Sequence, residues 1–409
     1  MTKAGRHRWT FAARFRARAF GWRSQPAIKR IEEAVSEIKK VARKEPVVAA
    51  EGAVRFLEKV SPALERVDSS SGAIGAAVNR AIDAVVPIIA RAPVDAKTRQ
   101  RWLERLWAAH EADTIPYIEA LGDAWGELCG SPEVASEWAD RLAPFVEMAS
   151  RSDPKLGGFF HGTSACLSCL LAAGRYEELL DLIERARLRW WPDRGYGVRA
   201  LAAMGRVDEA IEYAEASCGP SDAIRVACLC EEILLAAGRI EEAYDRYAIL
   251  ANQATTRLAT FRTIARKYPS KDPVEILADL IRSTPGDEGK WFATARRLGL
   301  RDLAVRLADR SPCDPRTLNR AARDHVADDP SFALEVALAS LRWLAEGWGY
   351  DVTDLDVHEA YDYAMKAATI LGCEPQTRAR VLELVATDRA QAVFVRQVLA
   401  ARLGLPEET

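Results

Sequence analysis

The sequence predicts an all-α protein, an α-solenoid of helical hairpins behind an N-terminal helical region. Apolar residues recur at helical spacing in nearly every segment after residue 27, and a glycine-centred element repeats along the chain. The 409 residues are 49% hydrophobic and 28% charged, as in an ordinary folded protein. This composition excludes a wholly disordered chain, a collagen-like fibre and a small disulfide-stapled scaffold.

Several helix starts can be read directly, because an Asp-Pro pair recurs at them. An aspartate can cap the free N–H groups of the first turn, and proline suits the first helical position, where its missing N–H is not needed. The pairs are Asp153-Pro154, Asp272-Pro273, Asp314-Pro315 and Asp329-Pro330, with Ser131-Pro132 as a variant. Each pair predicts the start of a helix.

The repeated element joins an apolar helix to a helix with an acidic first turn. Gly174, Gly205 and Gly238 stand 31 and 33 residues apart at the junction, and Gly299 marks a weaker copy. Glycine permits a tight turn without a Cβ clash, and acidic residues favour the positive end of the helix dipole. Because one hairpin has too little surface to bury alone, neighbouring hairpins must stack.

This element resembles the second half of a tetratricopeptide repeat over roughly residues 159–310. The early tryptophan of that repeat is missing from the three clear copies, and its closing proline is only partly present, as at Pro192 and Pro220. The resemblance therefore implies a solenoid with an extended groove, but it carries over no residues that bind a peptide terminus. The segment from Phe56 through the loop 68–72 is similar to a family of bacterial helical proteins of unknown function.

The chain is predicted to have three parts. Residues 1–26 form a basic arm, 27–150 a region of paired helices, and 151–409 the tetratricopeptide-like solenoid. The eight cysteines are thinly spread and no secretory signal precedes them, which favours reduced thiols and a cytoplasmic location. The longest uncharged stretch, 156–174, holds too many glycines and polar residues for a membrane span.

The arm has an unusual composition. The first thirty residues carry nine Lys or Arg and no acidic residue, and they also contain Trp9, Phe11, Phe15, Phe20 and Trp22. Three interpretations stay open: aromatic residues docked on the body with solvated arginines, a polyanion-binding arm, or a targeting segment. In the second interpretation the nucleic-acid-binding candidates are Arg6, Arg8, Arg14, Arg16, Arg18 and Arg23.

A second cluster mixes planar cations with aromatic rings, a combination enriched at binding hot spots. The alternative is that its tryptophans fill the seam between hairpins while its arginines are solvated. These candidates for contact with a protein partner are Arg187, Arg189, Trp190, Trp191, Arg194 and Tyr196.

Metal and redox sites are not expected. Cys166 and Cys169 form a CxxC pair, but Cys166, Cys230 and Trp291 share the position eight residues before a repeat glycine. A position that accepts both cysteine and tryptophan is a core position, where free cysteine acts as a small apolar residue. The acidic turn from Asp351 to Asp362 is likewise expected to cap a helix rather than to bind a cation.

These observations predict a non-catalytic scaffold or adaptor that binds a protein partner, with no cofactor, no metal and no membrane contact. No HExxH, GxSxG or Walker motif occurs in the sequence. One alternative is a nucleic-acid-associated protein that uses the basic arm. Another is an enzyme of unknown class that uses the acidic clusters at His110 or His358.

Overall fold

Every regular element in the described part of the chain is helical, as the sequence predicts, and no strand occurs there. The structure is a computed structural model, and it describes residues 7–151, 160–186, 190–387 and 389–405.

The chain divides into two compact units, Met1–Ala237 and Gly238–Thr409. The helices of unit 1 are α1 Ser24–Ala42, α2 Pro46–Leu64, α3 Ala73–Ala90, α4 Ala96–Glu111, α5 Trp125–Cys129, α6 Pro132–Arg151, α7 Thr163–Ala172, α8 Tyr176–Arg185, α9 Trp191–Ala203, α10 Val207–Ala216 and α11 Ala223–Ala236. The helices of unit 2 are α12 Ile240–Ala243, α13 Ile249–Ala251, α14 Arg257–Lys267, α15 Pro273–Arg282, α16 Phe292–Arg297, α17 Arg301–Arg310, α18 Pro315–His325, α19 Pro330–Ala345, α20 Asp354–Leu371, α21 Glu374–Val385 and α22 Ala390–Leu403. A π-helical stretch, Tyr244–Ala248, joins α12 to α13.

The boundary predicted at residue 150 falls inside unit 1, because helices on its two sides pack together. Both α5 and α6 contact α7. The Gly126 N–H donates to Ser168 Oγ at 3.0 Å, and that hydroxyl donates to the Asp123 carbonyl at 2.8 Å. A Cβ at Gly126 would lie 2.3 Å from the Ser168 carbonyl oxygen, so only glycine allows this approach. The paired helices and the first hairpins of the repeat thus share one core.

The first three helices pack on one another at the start of unit 1. Ile31, Ala34 and Ile38 of α1 point into the core, as their helical spacing predicts. By length and composition, α3 is the one helix of the described residues that could cross a membrane. Core helices of soluble proteins share these properties, and in this structure α3 packs against α1, α2 and α5.

The predicted helix caps are present where the chain is described. The side chains of Asp272, Asp314 and Asp329 accept a backbone N–H of the first turn at 2.8, 2.9 and 3.1 Å. Ser131 accepts one at 3.4 Å. The pair Asp153-Pro154 lies outside the described residues. The reading of Asp-Pro as a helix start is therefore confirmed at three of its four positions.

The four repeat glycines all adopt the left-handed conformation that the repeat predicts, with φ between 73° and 79°. Helices on the two sides of a turn pack together in chain order, for example α7 with α8, α9 with α10, and α16 with α17. The positions five after each glycine are fully buried: Leu179, Ala210, Ala243 and Ala304. The shared position eight before the glycine is also fully buried in Cys166, Cys230 and Trp291, as predicted.

Candidate functional site

From residue 7 onwards the N-terminal arm lies against α1 and α2. Trp9, Phe11 and Phe15 are buried, and the rings of Phe11 and Phe15 meet the Phe56 ring edge to face at 5.8 and 5.4 Å. A Cβ at Gly52 would lie 2.1 Å from the Trp9 ring, so the glycine makes room for this tryptophan. The arm aromatics are therefore part of the core of unit 1.

Glu37 of α1 holds the arm in place through its carboxylate. The carboxylate accepts the Thr10 N–H at 2.8 Å, the Thr10 hydroxyl at 2.6 Å and the Phe11 N–H at 3.2 Å. Farther along, the Arg18 N–H donates to the Pro62 carbonyl at 2.8 Å. The backbone of the arm is thus fixed at two separate points.

The arm arginines divide into two groups. Arg14 pairs with Glu33 at 2.8 Å and Arg18 with Glu65 at 2.7 Å, so their charges are compensated. Three others are exposed, and their guanidinium groups form no ion pair or hydrogen bond with any described residue: Arg8, Arg16 and Arg23. Arg6 lies outside the described residues.

The Arg–aromatic cluster at the start of α9 is largely internal. Trp191, Arg194 and Tyr196 are at most 6% exposed, whereas Trp190 is 54% exposed. Arg187 and Arg189 lie outside the described residues. Of the four described candidates, only Trp190 therefore offers a large exposed ring.

The polar atoms of the buried members have internal partners. Arg194 pairs with Glu184 and donates to the Tyr213 hydroxyl at 2.5 Å. The Tyr196 hydroxyl donates to the Asp123 carboxylate at 2.8 Å. Burial, with the Asp123 charge close by, raises the pKa of Asp193 to about 6. These contacts fix α9 against the rest of unit 1, which is a structural role.

A different surface of unit 1 forms a pocket. A groove of about 560 Å³, which we call the basic groove, lies between α1 and α3. Small and branched side chains make its apolar floor: Ile31, Val35, Ala77, Ala81 and Ala84. The alanines of α3 leave this space, because larger side chains at the same positions would fill it.

Cations dominate the rim of the basic groove. The rim carries Lys39, Lys40, Arg43 and Arg80, together with one acidic residue, Glu32, and the polar Ser36. All four cations are exposed, and none of their side-chain nitrogens forms an ion pair or hydrogen bond with any described residue. Elsewhere in unit 1 many arginines are paired; Arg105, for example, bridges Glu51 and Glu58 at 2.6 Å. The groove is thus a positively charged surface above an apolar floor.

The helix dipole explains the positions of only some of the cations in the basic groove. Lys39 and Lys40 lie in the last turn of α1, where cations favour the negative end of the helix dipole. Arg80 lies in the middle of α3, where the helix dipole offers no such advantage. This site is not predicted from the sequence, because it forms only when α1 packs on α3. In the sequence, the feature that points to this site is the group of basic residues at the end of α1, next to the apolar stripe of the same helix.

Burial suppresses the charged forms of several titratable groups in unit 1. His110 is 1% exposed, and burial, with His161 nearby, lowers its pKa to about 4. Burial raises the pKa of the Cys166 thiol to about 12, and the pKa of Cys169 is raised as well. Neutral thiols are poor nucleophiles and poor metal ligands. Across the described residues, no three His, Cys, Asp or Glu side chains are placed to hold a metal ion.

The acidic turn before α20 acts as a helix cap, as expected. Thr353 and Asp356 form a capping box, in which each side chain accepts the backbone N–H of the other. Arg316 pairs with the same Asp356 carboxylate at 2.8 Å. Asp356 therefore has a structural role in unit 2, as a helix cap and as the ion-pair partner of Arg316.

No protein-family model matches this chain, and no curated protein matches it in sequence.

Proposed function

We propose that this protein is a non-catalytic, cytoplasmic scaffold or adaptor that binds a protein partner through its helical surface, with the basic groove as the contact site. The main observation that supports this proposal is the set of four exposed, unpaired cations above an apolar floor. A helix or extended segment that presents acidic and apolar side chains together would match both features. The left-handed glycine turns support the further proposal that the hairpins are tetratricopeptide-like.

The apolar floor favours a protein segment over a nucleic acid. A phosphate backbone would use the rim charges, but it would leave the floor formed by Ile31, Val35 and the alanines unmatched. The burial of Trp9, Phe11 and Phe15 also removes these rings from any stacking on bases. One observation favours the nucleic-acid alternative, namely the three unpaired arm arginines, Arg8, Arg16 and Arg23.

Two charge-reversal variants separate these functions. The groove variant is Lys39→Glu/Lys40→Glu/Arg43→Glu, and the matched arm variant is Arg8→Glu/Arg16→Glu/Arg23→Glu. Each reverses three exposed, unpaired cations of unit 1. Both are compared with the wild type in quantitative capture from a lysate of the native host, with and without nuclease.

We expect a discrete set of proteins that survives nuclease, is retained by the arm variant and is lost with the groove variant. If the captured material instead disappears with nuclease and with the arm variant, the nucleic-acid function is correct. Equal capture by all three proteins would rule out the groove as the contact site.

The enzyme alternative has its own test. It requires that the double substitution His110→Ala/His358→Ala abolishes a phenotype of the host while the protein stays folded.

A further inference from the structure

Unit 2 exposes a loop rich in aromatic residues between α19 and α20. We call residues 346–355, which comprise this loop and the first two residues of α20, the aromatic loop. Trp348 is 51% exposed, Tyr350 84% and Leu355 65%. Large apolar side chains clustered on an exposed surface are typical of interaction sites, and tryptophan and tyrosine are enriched among residues that dominate binding energy.

Hydrogen bonds fix the shape of the aromatic loop on its α19 side. The Trp348 N–H donates to the Trp343 carbonyl at 2.8 Å, and Gly347 has a φ of 89°. Gly349 follows with a φ of 122°, and a Cβ at this position would lie 2.7 Å from Val352 Cγ2. The exposed rings are thus presented by a backbone that requires glycine at two positions.

The other end of the loop is fixed as well. Arg316 of α18 donates to the Asp351 carbonyl at 2.7 Å and forms two hydrogen bonds with the Asp356 carboxylate. The Thr353 capping box adds a further restraint. A loop held in this way loses little conformational entropy when it binds, so more of the contact energy appears as affinity.

The charges of the loop indicate the chemistry of its partner. Asp351 and Asp354 are exposed beside the apolar side chains, and their carboxylates form no ion pair with any described residue. The complementary surface is an apolar depression with a cationic rim. The basic groove has these properties, with four unpaired cations around an apolar floor.

We infer that the aromatic loop of one molecule binds in the basic groove of a second copy of this chain. This inference rests on the proposed function of the groove and names its partner. Trp348, Tyr350 or Leu355 would cover the apolar floor, while Asp351 and Asp354 would meet cations such as Lys39 and Arg43. Because the two surfaces differ, the contact is head to tail, and it leaves one free loop and one free groove. Assemblies therefore grow with concentration and weaken with salt.

The test uses a loop variant, Trp348→Ser/Tyr350→Ser, and the groove variant described above. Trp22→Ser, at a tryptophan that is 72% exposed in unit 1, is the matched control. Molar mass is measured by light scattering after size exclusion up to a concentration of about 100 µM, where weak specific contacts are populated. We expect the wild type and Trp22→Ser to associate, and each of the other two variants to associate at least about tenfold more weakly.

An equimolar mixture of the two variants gives the decisive result. The loop variant retains a working groove, and the groove variant retains a working loop. The mixture should therefore form a dimer, and this dimer should not grow further because its remaining loop and groove are both mutated. A wild type that stays monomeric at the highest concentration, or a mixture that stays monomeric while the wild type associates, would overturn the inference. If the wild type is monomeric but the groove variant still loses its captured proteins, the proposed function survives and only the second copy is excluded as partner.

Discussion

His110 and His161 face each other inside unit 1 with their ring centroids 4.2 Å apart. Neither ring nitrogen of His110 has a hydrogen-bond partner among the described residues, and its ring stacks on Trp107 at 5.5 Å. A positive charge on His110 would have to form in an aromatic core beside a second imidazole. Burial of His110 is therefore expected to make the stability of unit 1 depend on pH.

The first prediction concerns this pH dependence. The pKa of His110 is about 4 in the folded protein and about 6.5 in an unfolded chain. Between these values only the unfolded chain binds the proton, so the free energy of unfolding falls as the pH drops from 6.5 to 4, by about 3 kcal/mol. His110→Phe keeps the ring packing and should remove this loss. Urea unfolding at pH 7 and pH 5 measures the effect, and equal pH slopes for both proteins would contradict it.

The second prediction concerns Asp193, whose pKa is raised to about 6 by burial and by Asp123. An unfolded aspartate has a pKa near 4, so the folded protein binds the proton more tightly and gains stability as the pH falls from 6 to 4. Asp193→Asn should therefore stabilise the protein at pH 7 and lose this advantage near pH 4. NMR titration adds a direct check, because Asp123→Asn should lower the pKa of Asp193. An unchanged Asp193 titration would show that Asp123 has no such influence.

The third prediction compares two glycines that both face open space. A Cβ at Gly205 or Gly75 would meet nothing within 4 Å, but only Gly205 has a left-handed φ, of 79°. Gly205→Ala should cost about 1 kcal/mol, because alanine is strained in that conformation. Gly75→Ala lies inside α3 and should stabilise the protein by up to about 1 kcal/mol. Thermal unfolding of the two variants should show shifts of opposite sign, and shifts of the same sign would refute this explanation of the repeat glycines.

The fourth prediction tests whether the arm belongs to the core. Phe15 is 1% exposed and packs against Phe56, whereas Trp22 is 72% exposed. Phe15→Ala should destabilise unit 1 by about 3–5 kcal/mol, as expected for a large buried ring. Trp22→Ala should change the free energy of unfolding by less than about 0.5 kcal/mol. A freely moving arm would give negligible effects for both substitutions in denaturant unfolding.

The helical class, the capped helix starts and the glycine turns can all be predicted from the sequence. These features depend on residues close together in the chain: Asp314 caps a helix whose first turn it precedes, and Gly205 needs only its own backbone freedom. The burial of Cys166 also followed from comparing the copies of the repeat. Such signals are local, so a pattern of a few residues is enough to reveal them.

The positions of the exposed surfaces, in contrast, depend on how the helices pack. Arg194 and Tyr196 have the composition of a binding surface, yet they turn inwards, where Glu184 of the preceding helix and Asp123, 73 residues before Tyr196, satisfy their polar atoms. Lys39 and Arg80 come to line one groove because α1 packs on α3. Whether a charged side chain is paired or free depends on neighbours brought close by folding, and a single sequence contains no local record of those neighbours.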